Sequence, residues 1–142
     1  MDNEQDLFND IENMIMEEAQ KSYSSVVIDH FTHPRNIGEM EDADCYTYMS
    51  GICGDTIGVY VRIENDRLAR LSFVTNGCGT TIACGSALTC MAEGMMLADA
   101  KQLTGKDLIE FLEGLPLEHT HCADLAVNTL RGALEKANGG QT

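Results

Sequence analysis

The most constraining feature of the chain is a period-two run, Thr56–Glu64, in which Ile57, Val59, Val61 and Ile63 alternate with Thr56, Gly58, Tyr60, Arg62 and Glu64. Successive strand side chains point to opposite faces, so the run predicts a β-strand with one face buried and one face wet. Asn65-Asp66 offers a tight turn, and Ala69, Leu71, Phe73 and Thr75 alternate with Arg70 and Ser72 on a returning strand. A lone hairpin is marginal in water. Its apolar face therefore needs a cover, and the helical patterns on either side of it can supply one.

Residues 24–32 form a helical stretch stopped at Pro34, since proline disfavours helical backbone in the residue before it, and 35–44 reads as loop. In 80–93 the small residues Ala83, Gly85, Ser86 and Ala87 accompany Ile82, Leu88 and Met91, which suits a helix packed close to the sheet. Gly85 costs such a helix about 1 kcal/mol relative to Ala. Thr104 and Asp107 resemble a capping box ahead of Leu108, Ile109, Phe111 and Leu112, ended by Gly114 and Pro116. The last helix carries one stripe, Ala126, Leu130, Ala133, Leu134 and Ala137, and stops at Asn138-Gly139-Gly140. Strands first and helices after them indicate an α+β fold: a small antiparallel sheet with helices packed on one face.

The chain has 142 residues, of which 44% are hydrophobic, enough for one domain with a buried core. No apolar run reaches the roughly 20 residues of a spanning helix, which argues against a membrane partner. With 9 Lys+Arg against 23 Asp+Glu, the net charge of -14 argues against binding a phosphate backbone, and so against nucleic acid. Residues 1–20 hold Asp2, Glu4, Asp6, Asp10, Glu12, Glu17 and Glu18 and no basic residue, half of the net charge. Secretory and transit segments need basic residues there, so a cytoplasmic location is expected. Leu7, Phe8, Ile11, Met14 and Ile15 recur at helical spacing, making residues 1–20 an acidic leader with an amphipathic helix, ahead of a single domain over 21–142.

Chemistry concentrates at element boundaries: Cys53-Gly54-Asp55 before the first clear strand, Gly77-Cys78-Gly79 between strand and helix, and His121-Cys122 opening the last helix. Cys78 and Cys122 sit where free N–H groups and the helix dipole favour a thiolate, which is both a metal ligand and a sulfur nucleophile. Three thiolates joined by an imidazole or a carboxylate match zinc or iron–sulfur preferences, not calcium or magnesium. From the residues alone, buried structural thiols stand at even odds with a metal role. Six cysteines in a chain of this size point to reduced thiols rather than a disulfide framework.

Tyr23-Ser24 with Val27-Ile28-Asp29-His30-Phe31, His33-Pro34-Arg35-Asn36-Ile37-Gly38, Cys53-Gly54-Asp55, Gly77-Cys78-Gly79 with Ile82-Ala83, and His121-Cys122-Ala123-Asp124-Leu125-Ala126 follow one another along the chain. In that order they resemble the iron–sulfur cluster assembly scaffolds, IscU and the N-terminal domain of NifU. The resemblance implies a carrier rather than an enzyme. Cys53, Cys78 and Cys122 would ligate a transient [2Fe–2S] cluster, with Asp55 and His121 as further or exchangeable ligands. It also implies sulfur from a PLP-dependent cysteine desulfurase, an iron donor, a ferredoxin and apoprotein recipients, and leaves a homodimer open. Because a carboxylate holds the cluster less firmly than a thiolate does, Asp55 is expected to favour release.

Two rivals accompany this reading: a zinc-binding module with a structural or regulatory metal, and a thiol hydrolase using Cys78 with His121 and Asp55. The chain also departs from the bacterial pattern. Leu115-Pro116-Leu117-Glu118-His119 stands where Leu-Pro-Pro-Val-Lys is read by an Hsp70-type chaperone, which argues against release through that chaperone. His119 is expected to be an exposed loop histidine, and Cys84 and Cys90 to be buried small hydrophobes. Cys45 either fills a strand or serves as a secondary thiol. His30 and His33 are expected to pack and cap rather than bind metal.

Overall fold

The computed structural model describes residues 23–52 and 54–139, so the acidic leader lies outside the described residues. The elements run α1 (Ser25–Thr32), β1 (Cys45–Ser50), β2 (Thr56–Glu64), β3 (Arg67–Thr75), α2 (Gly79–Ala92), α3 (Leu97–Ala100), α4 (Gly105–Phe111), a 3-10 turn (Leu117–His119) and α5 (Thr120–Gly139). The strands form one antiparallel sheet in the order β1-β2-β3. Asn65 and Asp66 both take positive φ, 54° and 63°, the pair of left-handed residues that matches a two-residue hairpin turn to strand twist. The expected α+β architecture is the one observed.

The apolar face of β2 and β3 is buried as the alternation requires, but the second face of β2 is not wet at its centre, where Gly58 and Tyr60 are buried as well. Ile57, Val59, Val61 and Phe73 are fully buried on one face, where α5 crosses β1 and β2 and α2 lies against β3. Leu88 of α2 and Leu130 and Leu134 of α5 complete the core. Gly85, which propensity counts against the helix, is what the packing needs: a Cβ there would lie 2.5 Å from the Phe73 ring. The other sheet face carries Tyr46, Tyr48 and Tyr60, with Tyr46 and Tyr60 stacked at 5.4 Å and the Tyr48 and Tyr60 hydroxyls in contact. No helix among the described residues is long and apolar enough to cross a membrane.

Residues 33–38 prove to be a structural fastening. Phe73 N–H donates to Asn36 O at 2.9 Å and Gly38 N–H donates to Phe73 O at 2.7 Å, so the loop borders the open edge of β3. Arg35 N–H donates to Ser86 Oγ at 2.8 Å, and His30 Nδ1 meets the same hydroxyl at 2.7 Å. His30 is thus buried against α2, while His33 caps α1 and is exposed, as packing and capping roles require. Cys45 faces the core, and burial followed by the nearby Asp44 charge pushes its thiol up to about 11, a filling residue rather than a reactive one.

Two expectations need correction. Cys84 is fully buried, but Cys90 is exposed: six residues on, it lies on another side of α2, while its neighbours Thr89 and Ala92 stay buried. His119 does not sit in an open loop: the 3-10 turn that follows Pro116 folds it against the body, half-buried, with its ring 6.0 Å from Tyr23 and 6.4 Å from His121.

Candidate metal centre

Three elements that are distant in sequence meet at one end of the sheet. Asp55 comes from the turn into β2, where Gly51 N–H donates to Asp55 O at 2.8 Å and Gly54 N–H donates to Gly51 O at 3.0 Å. Cys78 is the N-cap of α2, on the exposed rim of the site. Cys122 is in the first turn of α5 and is 1% exposed. One carboxylate oxygen of Asp55 and the sulfurs of Cys78 and Cys122 all lie within 4.8 Å of one another. This separation suits a shared inorganic centre, given ligand distances of about 2.0–2.3 Å to a metal ion.

The two sulfurs differ in exposure, and Cys78 has a helix-start environment of its own. Burial pushes the Cys78 thiol up, but the Thr81 amide and hydroxyl and the Thr80 amide more than offset it, holding the thiol below its ordinary value. Those amides are the free donors of a helix start, which stabilise negative charge. Cys78 therefore combines thiolate character with access.

His121 stands beside this trio, with Nε2 3.7 Å from Cys122 Sγ. Cys53 lies outside the described residues; its chain neighbours Ile52 and Gly54 are both exposed. Gly77 is fixed by close approach, since a Cβ there would come within 2.9 Å of Asp55 Oδ2 and of Thr81 Cβ. Beside Cys78 a cleft of about 240 Å³ opens, lined by Tyr23, Val27, Phe31, Thr80 and His119.

Residues 22–141 match the family described as NifU-like N terminal domain. The chain belongs to that family. Over 113 residues it is 40% identical to iron-sulfur cluster assembly scaffold protein IscU 1 of Archaeoglobus fulgidus, covering 79% of this chain and 74% of that protein. It is likewise 40% identical over 116 residues to the IscU scaffold of Aquifex aeolicus, covering 80% of this chain and 74% of that one. The crystal structure of a NifU-like protein (N-terminal) from Brucella abortus superposes with a TM-score of 0.68 at 12% identity, over 82% of this chain and 94% of that one, a likeness of fold.

Within this NifU-like domain one participant escaped the sequence reading. Thr81 is fully buried, and its hydroxyl reaches Asp55 Oδ2 at 2.8 Å, Cys122 Sγ at 3.5 Å and Cys78 Sγ at 3.6 Å. The signal available was its position three residues after the N-cap Cys78, where a side chain turns back toward the helix start.

Proposed function

We propose that the chain is an iron–sulfur cluster assembly scaffold: it accepts sulfur and iron, builds a transient [2Fe–2S] cluster and passes it to apoproteins. The observation that carries the reading is the convergence of Asp55, Cys78 and Cys122 from three elements onto one partly open site. The scaffold names of relatives 40% identical to the chain support it. Cys53, adjacent in sequence to the Gly54-Asp55 turn, supplies the third thiolate, and His121 exchanges with Asp55 for the fourth position.

The donor set fits the cargo. Thiolates are the usual ligands of iron–sulfur clusters, and a mixed shell with a carboxylate binds more loosely than an all-cysteine one. Sulfur arrives as the terminal, sulfane sulfur of a persulfide on a PLP-dependent cysteine desulfurase. The Cys78 thiolate attacks that sulfur, the S–S bond to the desulfurase cysteine breaks, and that cysteine leaves as thiolate. Reduction to sulfide draws electrons partly from ferrous iron, which becomes ferric, and partly from a ferredoxin-class donor. The cleft beside Cys78 leaves the approach open on the side of Tyr23 and His119.

A structural zinc site is the weaker account, because such sites are closed tetrahedral shells and Cys78 is exposed. Anaerobic reconstitution with ferrous iron and sulfide tests the proposal. The expected result is a sulfur-to-iron charge-transfer spectrum that disappears as an apo-ferredoxin gains its own. Retention of zinc against excess iron, with no transferable chromophore, overturns it.

A further inference from the structure

The geometry points to Thr81 as a positioning residue that sets the hydrogen bonding of the cargo's ligands through a single hydroxyl shared by Asp55, Cys78 and Cys122. This inference rests on the scaffold reading and concerns the same site. A threonine hydroxyl carries one proton and two lone pairs. Here three candidate ligands surround it, at 2.8 Å to Asp55 Oδ2, 3.5 Å to Cys122 Sγ and 3.6 Å to Cys78 Sγ. One proton cannot serve all three. The hydroxyl is placed to donate to the Asp55 carboxylate, which is closest, and to Cys122 Sγ, with Cys78 Sγ also in reach, so the ligands compete for one proton.

Loading the site shifts this competition. A sulfur that ligates iron carries no proton and can only accept, so it draws the Thr81 hydroxyl proton and weakens the Thr81–Asp55 hydrogen bond. Thr81 thereby couples thiolate ligation to the hydrogen bonding of the carboxylate. Burial makes the coupling strong, because no water competes for the proton. The Gly77 position enforces it, since any side chain there would wedge between Asp55 and Thr81.

Hydrogen bonds to ligand sulfurs raise the reduction potential of an iron–sulfur centre and weaken sulfur-to-metal donation. Cobalt(II) alone serves as the first probe, added to the full chain as wild type, Thr81→Val and Thr81→Ser. Thr81→Val is expected to move the thiolate-to-cobalt charge-transfer band to longer wavelength, and Thr81→Ser to restore it. In anaerobically reconstituted protein the same pair is expected to lower and then restore the reduction potential in film voltammetry. Thr81→Ala, which adds no bulk, repeats both comparisons if the valine disturbs folding. An unmoved band and an unmoved potential in the hydroxyl-free variants overturn the role of Thr81. If wild type shows a cobalt–thiolate band but assembles no cluster, the scaffold reading fails while the cobalt comparison still decides for or against Thr81. If wild type shows no cobalt–thiolate band, both fall.

Discussion

The start and the middle of α2 carry the same residue types to opposite ends. At the start, Cys78 is exposed and its thiol is held below the ordinary value by helix-start amides and the Thr81 hydroxyl. Six residues on, Cys84 is fully buried, and burial drives its thiol far upward, helped by the charges of the neighbouring Cys122 and Cys78. Gly77, just before the helix, makes room for a carboxylate, whereas Gly85 makes room for the Phe73 ring. A hydroxyl at the start, that of Thr81, touches the candidate ligands, and one in the middle, that of Ser86, holds His30 and the Arg35 amide. Residue type therefore says little here; depth along one helix separates chemistry from packing.

The sharpest break between the two regions is predicted for serine replacements. Cys78→Ser is expected to abolish the reconstituted cluster spectrum, and Cys84→Ser to keep it while lowering stability by about 1–3 kcal/mol through a buried hydroxyl. A cluster lost equally in both would erase the distinction. Alkylation of the apoprotein by iodoacetamide, read by peptide mass spectrometry, is expected to modify Cys78 about a hundredfold or more faster than Cys84, because the buried sulfur reacts only after local opening. Comparable rates would mean that the middle of the helix is as accessible as its start.

Gly85→Ala is expected to cost about 1–3 kcal/mol in urea unfolding by overpacking against Phe73, with the metal site unchanged. Asp55→Ala is expected instead to lengthen the cluster's lifetime severalfold during transfer; equal or faster loss would remove the carboxylate's part in release. The smallest effect belongs to His30. Burial first, then the Arg35 charge, lower its pKa. The unfolded chain then binds more protons in the window below the ordinary histidine value near 6.5, so stability is expected to rise with pH through that window and to fall as pH drops. His30→Gln should flatten that slope in thermal unfolding followed by circular dichroism.

Much of this was legible in the chain of residues. The period-two run fixed β2 to its observed bounds, Thr56–Glu64, because one face is buried along nearly its whole length. The capping box at Thr104 and Asp107 forms both of its reciprocal hydrogen bonds. The four residues of α3 and the three of the 3-10 turn escaped notice because segments of a turn or less carry no period to read. Cys90 was misplaced because α2 has no clear apolar stripe: its buried residues run almost continuously from Thr80 to Thr89 and resume at Ala92, so the pattern does not mark the side on which Cys90 is exposed. Asp55, Cys78 and Cys122 were named by motif, but for Thr81 the sequence offers only its place three residues after Cys78, and its contact with Asp55 appears only in the fold.

In the proposed scaffold, the site's dispersal over the β1–β2 connection, the head of α2 and the head of α5 makes its affinity for iron inseparable from the docking of those pieces. Occupancy then reinforces the native arrangement by mass action, and anything that pries the two helices apart lowers the grip on the cargo at once. A recipient or helper protein need not compete ligand by ligand. Loosening one helix head would suffice to discharge the load.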